Sequence, residues 1–146
     1  MNLIYMDWLS HQIEVFRHRI DNHRTAVKYD ISKPYHKRRL KIDTQIYNCL
    51  KETKACTVQT HSDAYIDWLN EQLEKYEERE QRHASMVQMT RASTAYYRHR
   101  QTAVVAHEIV EGLRDTIAVY EQKGGLNGGH FERDPERTQG TNSPAQ

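Results

Sequence analysis

Residues 5–24, YMDWLSHQIEVFRHRIDNHR, return sixty positions later as residues 65–84, YIDWLNEQLEKYEEREQRHA. The two stretches align without a gap, and eight of their twenty positions are identical: Tyr5/Tyr65, Asp7/Asp67, Trp8/Trp68, Leu9/Leu69, Gln12/Gln72, Glu14/Glu74, Arg19/Arg79 and His23/His83. Shared heptad periodicity explains only the leucine-type matches, because sixty is not a multiple of seven. The chain therefore contains an internal duplication. In the first copy Met6, Leu9, Ile13, Phe16, Ile20, His23 and Val27 recur at spacings of three and four, the stripe of a helix that packs lengthwise on another. Asn2 and Ser62 occupy equivalent N-cap positions, each able to accept a hydrogen bond from the first helical turn.

Working outward, Asp30-Ile31-Ser32-Lys33-Pro34 should end the first helix and open a second. That second helix carries the stripe Tyr35, Arg39, Ile42, Ile46, Cys49, Thr53 and Cys56. After Ser62-Asp63 the third stripe is Ile66, Leu69, Leu73, Tyr76, Glu80, His83 and Val87. The fourth is His99, Ala103, Ala106, Val110, Leu113, Ile117 and Tyr120, closing before Gly124-Gly125 as a C-terminal stop. Allowing one inserted residue, Tyr35-His36-Lys37-Arg38-Arg39 falls on Tyr96-Tyr97-Arg98-His99-Arg100.

These observations predict an all-α protein of two tandem helical hairpins forming a four-helix bundle over residues 1–123, with repeat 1 at about 2–59 and repeat 2 at about 62–122. Neither hairpin is large enough to close a core alone. Residues 88–98 contain neither Gly nor Pro, which leaves a second arrangement open. In it, residues 62–122 form one helix about 90 Å long at 1.5 Å per residue, inside a dimer. The break at Pro34 in the first copy favours a turn near Thr90–Thr94 in the second. Five of six glycines and two of three prolines lie after residue 123, so 124–146 reads as a flexible or extended arm with only Leu126 and Phe131 as large apolar groups.

Composition excludes several functions. Of the 146 residues, 37% are apolar and 28% charged, and the mean hydropathy is −0.94. No run approaches the apolar length of a membrane span. The start, Met1-Asn2-Leu3-Ile4-Tyr5-Met6-Asp7, lacks the basic region and apolar core of a secretory signal. Twenty-one Lys and Arg against 20 Asp and Glu leave +1, so no global field drives the chain onto a polyanion. Cys49 and Cys56, seven apart on one helix, have Cα atoms about 10.5 Å apart, too far for a disulfide. They read as small apolar core residues in a reducing compartment.

No catalytic constellation is evident. The Gly124–Gly129 stretch follows a helix and lacks the lysine and hydroxyl of a phosphate loop. Glu80 and His83 have the spacing of a di-iron ligand pair, but Ile20 stands at the matching place of the first copy. His107 and Glu111 have no second matched pair, so no metal, cofactor or small-molecule substrate is expected, and the histidines read as polar layers of the bundle.

Two sets of residues remain as candidate surfaces. Tyr5, Trp8, Tyr65 and Trp68 flank the main stripes. They either pack between the hairpins or serve as aromatic anchors for a protein partner. The basic, tyrosine-bearing clusters comprise Lys33, Tyr35, His36, Lys37, Arg38, Arg39 and Lys41, and then Tyr96, Tyr97, Arg98, His99 and Arg100 with Arg91 upstream. They suit an acidic partner or, alternatively, the phosphates and bases of a nucleic acid. The bland expectation is that they pair with the acidic third helix, Glu71–Glu80. The whole predicts a non-enzymatic interaction or assembly protein, cytoplasmic or part of a virion, that self-associates or docks on a partner. An accessory or structural component of a phage or other mobile element would have this character, with the arm as a clamp.

Overall fold

The computed structural model describes residues 2–57, 62–90 and 94–127, with backbone only from residue 123. Four helices follow in order: α1 (Leu3–Lys28), α2 (Lys33–Ala55), α3 (Asp63–Met89) and α4 (Thr94–Asn127). No strand occurs among the described residues. Helices α1 and α2 pack as one hairpin, α3 and α4 as the other, and the two hairpins meet across α1·α4 and α2·α3 to make the bundle. Helix α3 ends at its Thr90 C-cap and α4 packs back along it, so residues 62–122 are not a single long helix.

Local chemistry sets the helix ends. Asn2 Oδ1 accepts from Tyr5 N (2.6 Å) and Ser62 Oγ from Tyr65 N (3.4 Å), so both expected N-caps are made. Ser32 also stands at an N-cap position but makes no side-chain cap bond and adopts a left-handed conformation (φ 43°). Helix α1 closes with Ile31 N–H donating to Ala26 O and Asp30 N–H to Val27 O, a Schellman pair around a left-handed Asp30 (φ 59°). Helix α2 closes the same way around Cys56 (φ 58°), with Thr57 N–H donating to Glu52 O. Cys56 is therefore an exposed helix terminator and not the core residue expected, whereas Cys49 is buried.

A second correction concerns Gly124-Gly125. Helix α4 runs through both to Asn127, because paired glycines weaken a helix without stopping it unless one turns left-handed. The rest of the expected arm, 128–146, and its clamping role lie outside the described residues.

The core is organised by the duplication. Trp8 stacks on Trp68 (5.7 Å between centroids, 21°), with Tyr5 stacked on Trp8 at 5.6 Å and Tyr65 on Trp68 at 6.0 Å. Phe16 meets Trp68 edge-on at 5.3 Å, and its equivalent Tyr76 meets Trp8 edge-on at 5.8 Å. Tyr5 hydroxyl pairs with Thr116 Oγ1 at 2.7 Å, and Tyr65 hydroxyl with Thr53 Oγ1 at 2.8 Å. Exchanging the two halves maps each of these contacts onto its mate. Leu9, Leu69, Leu50 and Leu113 are fully buried around this joint.

The same contacts correct the alignment of the second helices. Thr53 corresponds to Thr116 and His36 to His99, a shift of sixty-three where α1 and α3 differ by sixty. At that shift Ile46/Ile109, Leu50/Leu113 and Ala55/Ala118 are also identical. The second hairpin thus gains three residues around its turn, not one.

Candidate interaction surfaces

The four aromatic residues considered as anchors lie inside. Tyr5, Trp8, Tyr65 and Trp68 are between 0% and 9% exposed, so in this fold they form the joint between hairpins and present no face to a partner. Burial raises the Tyr5 and Tyr65 hydroxyls well above the ordinary tyrosine pKa and pushes Tyr120 up to about 12, which keeps all three neutral as hydrogen-bonding groups.

The basic clusters lie away from that joint, around the hairpin turns. At the first turn Tyr29, Ile31 and Tyr35 are 66%, 60% and 50% exposed. Lys37, Arg38 and Lys41 are exposed along one outward arc of α2, about 100° wide at about 100° per residue. Among the described residues none of these three cations has an ion-pair partner. At the second turn Tyr97, Arg98 and Arg100 are exposed and Tyr96 is half-buried against Tyr97, edge-on at 5.1 Å. Arg91 lies outside the described residues.

Arg39 departs from the expected cluster. Its guanidinium turns inward and donates to Asp43 Oδ1 at 3.0 Å, so it is a structural cation and not an open contact. Asp43 is fully buried, and its Oδ2 faces Arg19 Nε at 3.4 Å and His23 Nε2 at 3.3 Å. Sequence reasoning passed over Asp43. The available signal was the four-residue spacing of Arg39 and Asp43 beside a stripe otherwise made of core residues.

Four of the nine histidines form polar layers, while His11, His18 and His107 are exposed. His23 Nδ1 and His36 Nδ1 are 2.8 Å apart, and so are His83 Nδ1 and His99 Nδ1 in the other hairpin. Each contact requires one ring to donate and the other to accept, so each pair holds at most one proton at that contact. Burial lowers the pKa of His23; His36, Arg39 and Arg19 add to this, while Asp43 opposes it. Burial also lowers the pKa of His83, reinforced by His99, Arg79 and Arg82, with no carboxylate opposing. Ala106 stands where Asp43 stands in the first hairpin.

A histidine whose folded pKa lies below 6.5 is held neutral by the fold, so its stabilising contribution is present above that value and lost as pH falls. The second hairpin, lacking the carboxylate, is expected to loosen first. Amide hydrogen exchange at about pH 7.5 and about pH 5 reads this directly. Protection relative to intrinsic exchange should fall at residues 77–89 more than at residues 17–28 on going to the lower pH, and an equal change in protection of both segments contradicts it.

Glu80 and His107, taken from the two metal-like motifs, meet each other at 2.9 Å, while His83 turns to His99. Among the described residues no group of three or more His, Cys, Asp or Glu is placed to hold a metal ion.

Among the described residues the basic clusters make no ion pair with the acidic third helix. Glu77 is taken by Arg114 (2.7 Å), Glu78 by Arg82 (3.6 Å) and Glu80 by His107, all within the second hairpin. The overall charge of +1 conceals a division between the hairpins. Residues 2–57 hold eleven Lys and Arg against six Asp and Glu, a net +5. Residues 62–127 hold eight against eleven, a net −3. No helix among the described residues is long and apolar enough to cross a membrane. No protein-family model, curated protein or solved structure matches the chain.

Proposed function

We propose that this chain is a non-enzymatic interaction or assembly protein that docks through the turn of its first hairpin and the outer face of α2 onto an acidic protein surface. The observation that carries this reading is the group Lys37, Arg38 and Lys41, exposed and without a counter-ion among the described residues, beside exposed Tyr29, Ile31 and Tyr35. Tyrosine and arginine next to aliphatic surface are the residue types that dominate binding energy at protein interfaces. Its small all-helical build suits an accessory or structural component of a larger assembly, a phage particle among them.

The second reading, nucleic-acid binding, draws on the same tyrosines and cations. Two features place it behind. Three open cations on one arc neutralise few phosphates, and hairpin 2 with its net −3 repels the backbone on either side. A photo-reactive phenylalanine analogue at position 35, activated in cells, tests both. A covalent adduct with protein that survives nuclease is the expected result. A nuclease-sensitive adduct gives the surface to nucleic acid, and the absence of any adduct overturns the docking role.

A further inference from the structure

We propose that the acidic surface engaged by the first hairpin is the α3 face of a second copy of this chain, so that copies associate head to tail. This rests on the docking reading above and adds the identity of the partner.

Asp67, Glu71, Glu74 and Glu78 follow one another at spacings of four, three and four. At about 100° per residue they occupy an arc of α3 only about 60° wide. All four are exposed. Only Glu78 meets a cation, through the exposed contact with Arg82. Asp67, Glu71 and Glu74 have no ion-pair partner among the described residues. The chain therefore carries an open acidic stripe on one hairpin and an open basic arc on the other.

The two match in spacing as well as in sign. Lys37 and Lys41 lie four residues apart, about 6 Å along the helix, as do Asp67 and Glu71, and again Glu74 and Glu78. Two helices laid side by side can thus pair ammonium with carboxylate at successive turns. Arg38 adds a forked donor, and Tyr29, Ile31 and Tyr35 supply apolar area at the end of the contact. Within one chain the faces do not meet. Among the described residues no lysine or arginine of α2 pairs with a carboxylate of α3. A second copy can bring them together.

The contact is heterologous, because the surface used on one copy differs from that used on the next. Each added copy spends one face and presents the other, so the assembly always keeps one basic and one acidic face free and association continues past two chains. Exposed ion pairs are individually weak and are screened by salt, which makes the association steeply dependent on ionic strength.

Light scattering on the full chain tests this at ~25 mM and ~300 mM salt, where screening lengths differ several-fold. The mean mass is expected to rise with protein concentration at the lower salt and to return to that of one chain at the higher. Lys37→Gln/Arg38→Gln/Lys41→Gln and Asp67→Asn/Glu71→Gln/Glu74→Gln each alter only exposed side chains, and helical circular dichroism verifies their folding. Each variant alone is expected to stay a single chain. Mixed in equal amounts they are expected to form a two-chain complex and nothing larger, since one intact face of each kind remains. A wild-type chain that stays single at every concentration overturns self-docking, as does an acidic-face variant that assembles like wild type. If the position-35 adduct then contains a different protein, docking through hairpin 1 stands and only the identity of its partner falls.

Discussion

Replacing Gly112 by alanine is expected to destabilise the protein by about 3 kcal/mol, although alanine is the better helix former by about 1 kcal/mol. Gly112 sits in the middle of α4, directly beneath the Tyr5 ring, and a Cβ built there overlaps Cγ, Cδ1 and Cδ2 of that ring. The ring has nowhere to retreat. Asn2 caps α1 three residues earlier and its Nδ2 also donates to Glu108 O at 3.0 Å, fixing the start of α1 against α4. On the far side Tyr5 is stacked on Trp8. Relief requires moving the ring and breaking its 2.7 Å bond to Thr116, which leaves a buried hydroxyl unsatisfied. Thermal or urea unfolding of Gly112→Ala measures the loss. Combining it with Tyr5→Ala should cost much less than the sum of the two single changes, because the clash disappears with the ring. Full additivity of the pair places the cost somewhere other than under Tyr5. The equivalent residue in the first hairpin is Cys49, which already carries a Cβ and lies in the core with Tyr65, so Cys49→Ala is expected to cost only about 1 kcal/mol.

That asymmetry shows what the sequence could and could not reveal. The repeat over residues 5–24 and 65–84 was legible because tryptophan, tyrosine and aspartate identities are independent of heptad period, and the caps at Asn2 and Ser62 followed from their chemistry. The register of α2 against α4 was not. Aligning the chain by its basic and aromatic residues matched exposed side chains near the turns, where composition repeats without geometric meaning. The buried residues Ile46, Leu50 and Thr53 hold the true register with Ile109, Leu113 and Thr116. Helical spacing alone put Tyr5 and Trp8 on a flank. It could not distinguish a flank facing water from one facing a second hairpin.

The candidate surface was legible in composition but not in pairing. Lys37, Arg38 and Lys41 were visible in the chain as a basic group, yet Arg39 in the same run is drawn inward by Asp43, a residue whose importance depends on Arg19 and His23 from another helix. The near-zero net charge argued against any polyanionic partner. It did so only because it averaged a basic hairpin with an acidic one.

Truncating Trp68 to alanine should cost about 4 kcal/mol, the range for removing a large buried aromatic, against a total stability of about 5–15 kcal/mol for a domain. The loss falls unevenly. Trp68 touches Trp8 and Phe16 of the first hairpin and Tyr65 of the second, so its removal opens the joint between them. The contacts farther out all join helices of one hairpin: His23 with His36, Arg19 with Asp43, His83 with His99, and Arg114 with Glu77. Those remain. Trp68→Ala is therefore expected to keep much of its helical signal while losing two-state behaviour. Trp8 fluorescence should report separation of the hairpins at a lower temperature than far-ultraviolet circular dichroism reports loss of helix. Ile20→Ala provides the contrast, since Ile20 is buried within the first hairpin but outside the aromatic cluster. It should lower the midpoint with both probes still coincident. A Trp68→Ala variant whose two transitions coincide would mean that the hairpins have no stability apart from one another, and the joint would then be the whole source of cooperativity.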